Sequence, residues 1–328
     1  MSPVPRRISF TLFLLALALA FLAYLAPYVY PEYQYRIHGK DVSVLPRPGV
    51  PVAGRWFDDY FVIEDLDAST FAIGEPRYYW GNYSYLIIGD RKAILFDAGT
   101  GTRDIVPVVR SLTRLPVTVI PSHLHYDHVG ALGRFESTAL LDSPALRARA
   151  RNSLLTLERY EFLGFIQDLA PPTFRVDQWW PANSAVDLGN RRIRVLSTPG
   201  HTPTSVSLYD EQRRQAFVGD FVYPSTLYAF YPGASRSTYL VTTRQLLALL
   251  DPQARIYTAH MADLPAPVRA PVLEVADLRH LEQTLQAIER HAIRPISSAD
   301  PLPVVFFPRV FPVRGPMTFA TGYVWNNR

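Results

Sequence analysis

Residues 123 to 128 read His-Leu-His-Tyr-Asp-His, so four side chains able to ligate a metal (His123, His125, Asp127 and His128) fall within six residues. Imidazole nitrogen and carboxylate oxygen suit zinc and similar divalent ions. Packed without an ion, such a crowd of polar groups would need a partner for every atom. The flanks constrain the fold as well. Val117-Thr118-Val119-Ile120 is a β-branched run before the cluster, and Val129-Gly130 opens a turn after it. A buried strand that delivers ligands at its exit, on a loop held by a rigid sheet, belongs to an α/β architecture.

The other residue types narrow the chemistry. Among 328 residues there is no cysteine, which excludes a disulfide framework, a Cys-rich metal site and a cysteine nucleophile. The net charge of +4 is modest, arginine supplies most of the positive charge, and no basic run resembles a phosphate-tracking stripe. Nucleic acid is therefore not an expected partner. At the N-terminus, Arg6-Arg7 precede an apolar run from Ile8 to Ala26 broken only by Ser9 and Thr11. At a rise of about 1.5 Å per residue this run is close to the ~30 Å hydrocarbon core of a bilayer. It reads as an uncleaved single-pass helix. The A-x-A patterns that would mark signal cleavage lie inside the run rather than after it, so secretion after cleavage is the rival reading. The arginine bias predicts a bacterial inner-membrane protein with its main domain facing the periplasm, and Tyr24, Tyr28 and Tyr30 fit an interfacial belt.

The organisation that follows is an anchor or signal in residues 1–30, a Pro- and Tyr-rich linker over 31–54, a main domain over 55–295, and a tail over 296–328 that packs on it. Residues 83–88 and 93–96, joined at Gly89-Asp90, read as a hairpin ending in Asp97-Ala98-Gly99-Thr100-Gly101. Helices are expected near 104–115, 145–165, 239–250 and 270–291. Strands are expected at 117–121, 192–196, 205–209, 215–218 and 255–258. Residues 166–190 hold Pro171-Pro172, Trp179-Trp180 and Pro181 and read as a long irregular lid.

Three further strand-like runs end in a potential ligand. Arg194 to Pro199-Gly200 ends in His201, Ala216-Phe217-Val218-Gly219 ends in Asp220, and Ile256-Tyr257-Thr258-Ala259 ends in His260. Each alone is a commonplace turn residue. Together with the opening cluster they give five histidines and two aspartates at strand ends.

On these motifs the chain resembles the metallo-β-lactamase superfamily, whose pattern is H-x-H-x-D-H followed by a His, an Asp and a last His, here from about Tyr83 to His260. The resemblance implies a four-layer αββα sandwich with a two-metal site at one edge of its sheets. It implies two zinc ions, with iron or manganese as other divalent occupants. His123, His125 and His201 would bind the first, and Asp127, His128 and His260 the second. Asp220 would bridge both, and Asp97 would orient a ligand histidine through a hydrogen bond. Two ions about 3.5–4 Å apart can share a water, bring its pKa towards neutrality and polarise a scissile carbonyl or phosphoryl group. The expected activity is hydrolysis of an ester, lactone, thioester or phosphoester in a small-molecule substrate, with Asp127 or the metal pair steering the proton to the leaving group. Gly219-Asp220 resembles the glyoxalase II and lactonase branch rather than true β-lactamases. β-Lactam cleavage, or a redox metal centre on the same fold, is the alternative. Lactonase-type members place a catalytic tyrosine three residues after the bridging Asp, where it polarises the scissile carbonyl, and Tyr223 stands at that offset. Trp179, Trp180, Tyr228, Phe230 and Tyr231 are candidates for an apolar substrate wall.

Overall fold

The computed structural model describes residues 12–18, 20, 21, 25, 51–78, 81–229, 231–261, 267–294, 309–314 and 317–321. Two sheets carry the fold. The first runs, in spatial order, Arg55–Trp56, Val62–Asp67, Thr70–Glu75, Asn82–Ile88, Ala93–Phe96, Val117–Ile120, Ser137–Leu141 and Gln178–Trp180. It is antiparallel as far as Ala93–Phe96 and parallel beyond it. The second runs Ala185–Asp187, Arg192–Ser197, Val206–Asp210, Gln215–Phe217, Arg255–Tyr257 and Val272–Glu274.

Side-chain alternation explains why both sheets are buried on both faces. In Asn82–Ile88, Tyr83, Tyr85 and Ile87 point into the core between the sheets, whereas Leu86 points to the outer face of the first sheet. Ile94 and Phe96 alternate in the same way with Ala93 and Leu95. In the second sheet Leu208, Phe217 and Tyr257 face inward, and Ala216 and Ile256 face out. Such two-sided burial is why these strands read as continuous apolar runs. The helix Val106–Leu112 adds Val108 and Val109 to the outer core of the first sheet. The helices Arg236–Leu249 and Val275–Glu289 cover the second with Leu240, Leu246, Leu278, Leu281 and Leu285. The result is a sheet-rich α/β fold of the expected class.

Two stretches differ from the sequence reading. The helix expected over 145–165 is broken into Pro144–Arg149, a strand Leu154–Thr156 and a single turn Arg159–Phe162. Asn152 (φ 51°) and Ser153 (φ 63°) take left-handed backbone, which a helix interior does not accommodate. The lid expected over 166–190 instead holds the strands Thr173–Arg175, Gln178–Trp180 and Ala185–Asp187. Backbone pairing recruits its tryptophans into the fold. Gln178–Trp180 pairs in parallel with residues 139–141, Trp180 is buried between the sheets, and Trp179 packs on the outer face with the Arg147 guanidinium carbon 5.0 Å from its ring centroid.

Among the described residues no helix is long and apolar enough to cross a membrane. Residues 12–18, 20, 21 and 25 are helical, but much of the apolar run from Ile8 to Ala26, the belt tyrosines and the linker over 31–50 lie outside the described residues. Of the tail, Arg309–Arg314 and Met317–Thr321 form an antiparallel hairpin whose second strand pairs in parallel with Thr226–Ala229.

Candidate metal centre

Strand direction brings the candidate ligands together. Ala93–Phe96 and Val117–Ile120 are parallel, so Asp97 and the cluster beginning at His123 emerge at the same edge of the first sheet. In the second sheet Arg192–Ser197, Gln215–Phe217 and Arg255–Tyr257 also share one direction, so the turns carrying His201, Asp220 and His260 leave it together. The two edges meet at a buried cluster. Three trios there have donor atoms within 4.8 Å of one another: His123, His125 and His201; His123, His128 and Asp220; Asp127, His128 and His260.

Asp220 stands between the groups. Its Oδ1 lies 3.4 Å from His128 Nε2 and 3.2 Å from His260 Nε2, and its Oδ2 lies 3.7 Å from His201 Nε2. Asp127 Oδ2 is 3.3 Å from His260 Nε2. On the other side His123 Nε2 is 2.8 Å, and His201 Nε2 3.2 Å, from His125 Nδ1.

Three of the outward nitrogens face acceptors from separate parts of the chain. His201 Nδ1 donates to the Tyr228 carbonyl at 3.0 Å, His260 Nδ1 to the Gly81 carbonyl at 3.4 Å, and His128 Nδ1 lies 3.0 Å from Asp97 Oδ2. The Ser122 hydroxyl is 3.0 Å from His123 Nδ1. Each such partner fixes which nitrogen faces inward. Asp97 itself is anchored by the Ser122 amide, which donates to its Oδ1 at 2.5 Å. The Asp97 turn is sewn to the histidine loop through Ala98 N to His128 O and Gly130 N to Gly99 O. A side chain at Gly130 would strike the Gly101 backbone nitrogen at 2.2 Å, so the close approach of these two turns requires glycine there.

Electrostatics divides the histidines into two kinds. Burial holds the imidazolium form of His123, His125 and His201 below its ordinary range, reaching about 3 at His125, where His201 adds repulsion. Burial acts the same way on His128 and His260, but nearby carboxylates outweigh it. Asp97, Asp220 and Asp127 hold His128 well above its ordinary range, and Asp220 and Asp127 raise His260 to about 10. In return, against the upward push of burial, His260 and His128 hold Asp220 well below the usual carboxylate range, and Asp127 is lowered chiefly by His128.

Tyr223 lies beside this group, its ring centroid 5.6 Å from that of His260, but its hydroxyl donates to the Thr226 carbonyl at 2.6 Å. Burial, then Asp220, pushes its pKa well up. The phenol is thus committed to backbone, which the three-residue offset from Asp220 could not reveal. Tyr231 stands 6.2 Å from His125 by ring centroid, with Tyr228 5.6 Å beyond it. The structure does not bring Trp179 or Trp180 into this group, and Phe230 lies outside the described residues.

Two polar residues near the cluster carry no motif. Asn82, fully buried, donates from Nδ2 to the Asp127 carbonyl at 2.6 Å. Glu75, also buried, accepts from Thr100 N, Thr100 Oγ1 and the Tyr60 hydroxyl at 3.0, 2.6 and 2.8 Å. Burial pushes the Glu75 carboxyl up against the pull of those three bonds. One Asn at a strand start and a Gly-Glu-Pro turn give no sequence signal for either role.

Residues 77–260 match the metallo-beta-lactamase superfamily, more than half of the chain and the whole of the cluster. The chain belongs to this superfamily. Among similar curated proteins, the acyl-coenzyme A thioesterase MBLAC2 of Gallus gallus is 26% identical over 219 residues, covering 59% of this chain and 77% of that protein. Its Homo sapiens counterpart is 27% identical with the same coverage. The probable metallo-hydrolase YqgX of Bacillus subtilis is 22% identical over 178 residues, 54% of this chain and 83% of that one. A solved metallo-beta-lactamase from Pontibacter korlensis superposes with a TM-score of 0.52 at 16% identity, over 69% of this chain and 99% of that one. At that identity the likeness is one of fold. The superfamily's hydrolases and the buried His/Asp trios together make the chain a metallo-hydrolase-type enzyme.

Proposed function

We propose that the chain is a two-metal hydrolase of acyl-thioesters. The observation that carries this reading is Asp220, whose two oxygens face the two histidine groups. His123, His125 and His201 would hold one divalent ion, and Asp127, His128 and His260 the other. The donor set, all imidazole and carboxylate, suits zinc and admits iron or manganese. Two buried atoms that face each other, His128 Nε2 and Asp220 Oδ1, make no hydrogen bond, which is what an ion between them would satisfy.

Ions in this position would lower the pKa of a shared water and polarise the scissile carbonyl. The chain's own residues do the rest. Asp97, Ser122, Gly81 and Tyr228 orient the imidazoles. Asp127, ionised among histidines, is placed to accept the proton released by the attacking water and pass it to the departing thiolate, so that an acid and a thiol leave. Tyr231 and Tyr228 flank the His125 side of the cluster and would bound the acyl group. Tyr223 packs against His260 and is not assigned to the carbonyl.

The choice of thioester over lactone, phosphoester or β-lactam rests on the thioesterases among the relatives. The test is a panel of acyl-thioesters, lactones, phosphodiesters and β-lactams, offered to the purified full chain with and without chelator. Thioester turnover that disappears with chelator and returns with zinc supports the reading. Turnover that survives complete metal removal, or a strong preference for another class, overturns it.

For location we propose a single-pass anchor over Ile8–Ala26, with the hydrolase domain on the periplasmic side of a bacterial inner membrane. The basis is Arg6-Arg7 before the apolar run, and Leu12, Phe13, Leu14, Leu15, Leu17 and Phe21 presenting exposed apolar surface. Recovery of the native chain in the soluble fraction after lysis, without cleavage, counts against it.

A further inference from the structure

The strands Arg309–Arg314 and Met317–Thr321 lie outside the span matched by the superfamily, 77–260, yet the second pairs with the strand that carries Tyr228. We propose that the C-terminal hairpin, Arg309–Arg314 with Met317–Thr321, is a positioning element of the metal centre. The inference rests on the metal-binding reading given above.

Two routes connect the hairpin to the ligands. The first is through backbone. Among the described residues, the only strand paired with Thr226–Ala229 is Met317–Thr321, with Tyr228 opposite Ala320. The Thr318 amide donates to the Ser225 carbonyl at 3.1 Å, and its hydroxyl donates to Thr226 Oγ1 at 2.9 Å. The strand so held supplies the Tyr228 carbonyl that takes the His201 Nδ1 proton. It also supplies the Thr226 carbonyl that takes the Tyr223 proton and keeps that ring against His260. An extended segment without its ladder partner has no fixed place for its carbonyls.

The second route is through packing. Phe319 is fully buried and meets the Tyr239 ring edge-on, 5.2 Å between centroids. The Tyr239 hydroxyl donates to the Phe221 carbonyl at 2.7 Å and lies 3.2 Å from the carbonyl of Asp220. Phe319 therefore backs the ring that grips the turn carrying the bridging carboxylate. The hairpin is in turn fixed to the helix Val275–Glu289 by Arg314 on Asp277 at 3.0 Å and by the Thr284 hydroxyl donating to the Pro312 carbonyl at 3.3 Å.

The test compares the full-length wild type with Phe319→Ala and Thr318→Val. Zinc affinity is read by competition with a chromophoric chelator, and thermal unfolding is read on the metal-free chains. Leu86→Ala serves as control, a fully buried residue of the outer core of the first sheet. Groups that orient metal ligands are worth about 10- to 100-fold in affinity, so Phe319→Ala is expected to weaken zinc binding by about ten-fold or more. Leu86→Ala, although it lowers the unfolding temperature comparably, is expected to stay within about two-fold of wild type, as sites that share no partners do. Thr318→Val is expected to fall between the two. Where Phe319→Ala does not fold, Phe319→Leu takes its place. Zinc affinity that is unchanged in the hairpin variants, or that falls equally in Leu86→Ala, overturns this inference while leaving the metal centre standing. A wild-type chain that binds no zinc overturns the metal-centre reading, and this inference with it.

Discussion

Asn82 offers a direct way to split the two halves of the cluster. Its amide donates to the Asp127 carbonyl at 2.6 Å, its Oδ1 accepts from the Tyr83 amide at 3.1 Å, and its backbone bridges to His260. One buried residue thus joins the Asp127 turn, through its side chain, to His260, through its backbone. In Asn82→Ala the Tyr83 amide keeps its bond to the Ala259 carbonyl, but the Asp127 carbonyl is left buried without this donor. That costs about 1–3 kcal/mol. At about 2–4 °C per kcal/mol for a domain of this size, unfolding should move down by roughly 2–12 °C. Because the loss falls on the turn carrying Asp127 and His128, the group with His260 should weaken by about 10- to 100-fold in metal affinity, while the all-histidine group holds. Bound metal measured against rising chelator should then fall in two steps, with one equivalent lost early in Asn82→Ala. Asn82→Asp should be worse than alanine, since it sets a carboxylate oxygen against a carbonyl oxygen. A variant that unfolds earlier but releases both equivalents together, or at wild-type chelator concentrations, would falsify the division of the site into two groups.

Other predictions follow from the same geometry. Asp97→Asn removes the charge beside His128 Nδ1 and should lower metal affinity by about 10- to 100-fold, measured by chelator competition; wild-type affinity would remove Asp97 from the site. Tyr223→Phe should keep thioester turnover within about three-fold and cost about 1 kcal/mol of stability, because its proton serves the Thr226 carbonyl; a loss of a hundred-fold or more in kcat at unchanged stability would restore it to the chemistry. The metal-free chain should be most stable near pH ~6.5, the ordinary histidine value, as far as this cluster decides. Below that pH the unfolded chain takes up protons that His123, His125 and His201 refuse, so stability falls with acid; above it His128 and His260 hold protons that the unfolded chain has released, so stability falls towards the His260 value of about 10. Zinc should suppress the alkaline decline, because ligation requires those two imidazoles neutral; melting curves across pH, with and without zinc, check both limbs.

What was legible in the sequence is what each residue announces locally. His123 to His128 sit in one loop, and His201, Asp220 and His260 each follow an apolar run that had to be a strand. Shared strand direction then left the chain one edge at which to collect them. Asp97 was singled out only through the resemblance to the superfamily, and the structure places it at the exit of the strand beside Val117–Ile120. Residues whose job depends on a partner far away in the chain were not. Asn82 acts on Asp127 and Glu75 on Thr100, and neither pairing leaves a periodicity or spacing. The tryptophans failed in the opposite direction. Trp179-Trp180 between prolines looked like a lid because nothing local in the sequence encodes the free parallel edge that residues 139–141 offer. Asn152 and Ser153 broke an apparent helix through backbone conformation, which side-chain patterning over 145–165 does not encode.

The same distinction bears on substrate. Three of the candidate ligand histidines have an outward nitrogen that faces a different segment: Gly81 for His260, Asp97 for His128 and Tyr228 for His201, whereas His123 meets the neighbouring Ser122. Those three imidazoles are therefore open to adjustment from whatever packs behind each segment. Behind Asp97 and Gly81 lies the first sheet, common ground for a fold that hosts many reactions. Behind Tyr228 lies the C-terminal hairpin, outside the matched superfamily span, and the same strand presents Tyr228 beside Tyr231 at the His125 side of the cluster. Selectivity is expected to reside there, where one strand carries both the carbonyl that meets His201 and part of the proposed wall for the acyl group.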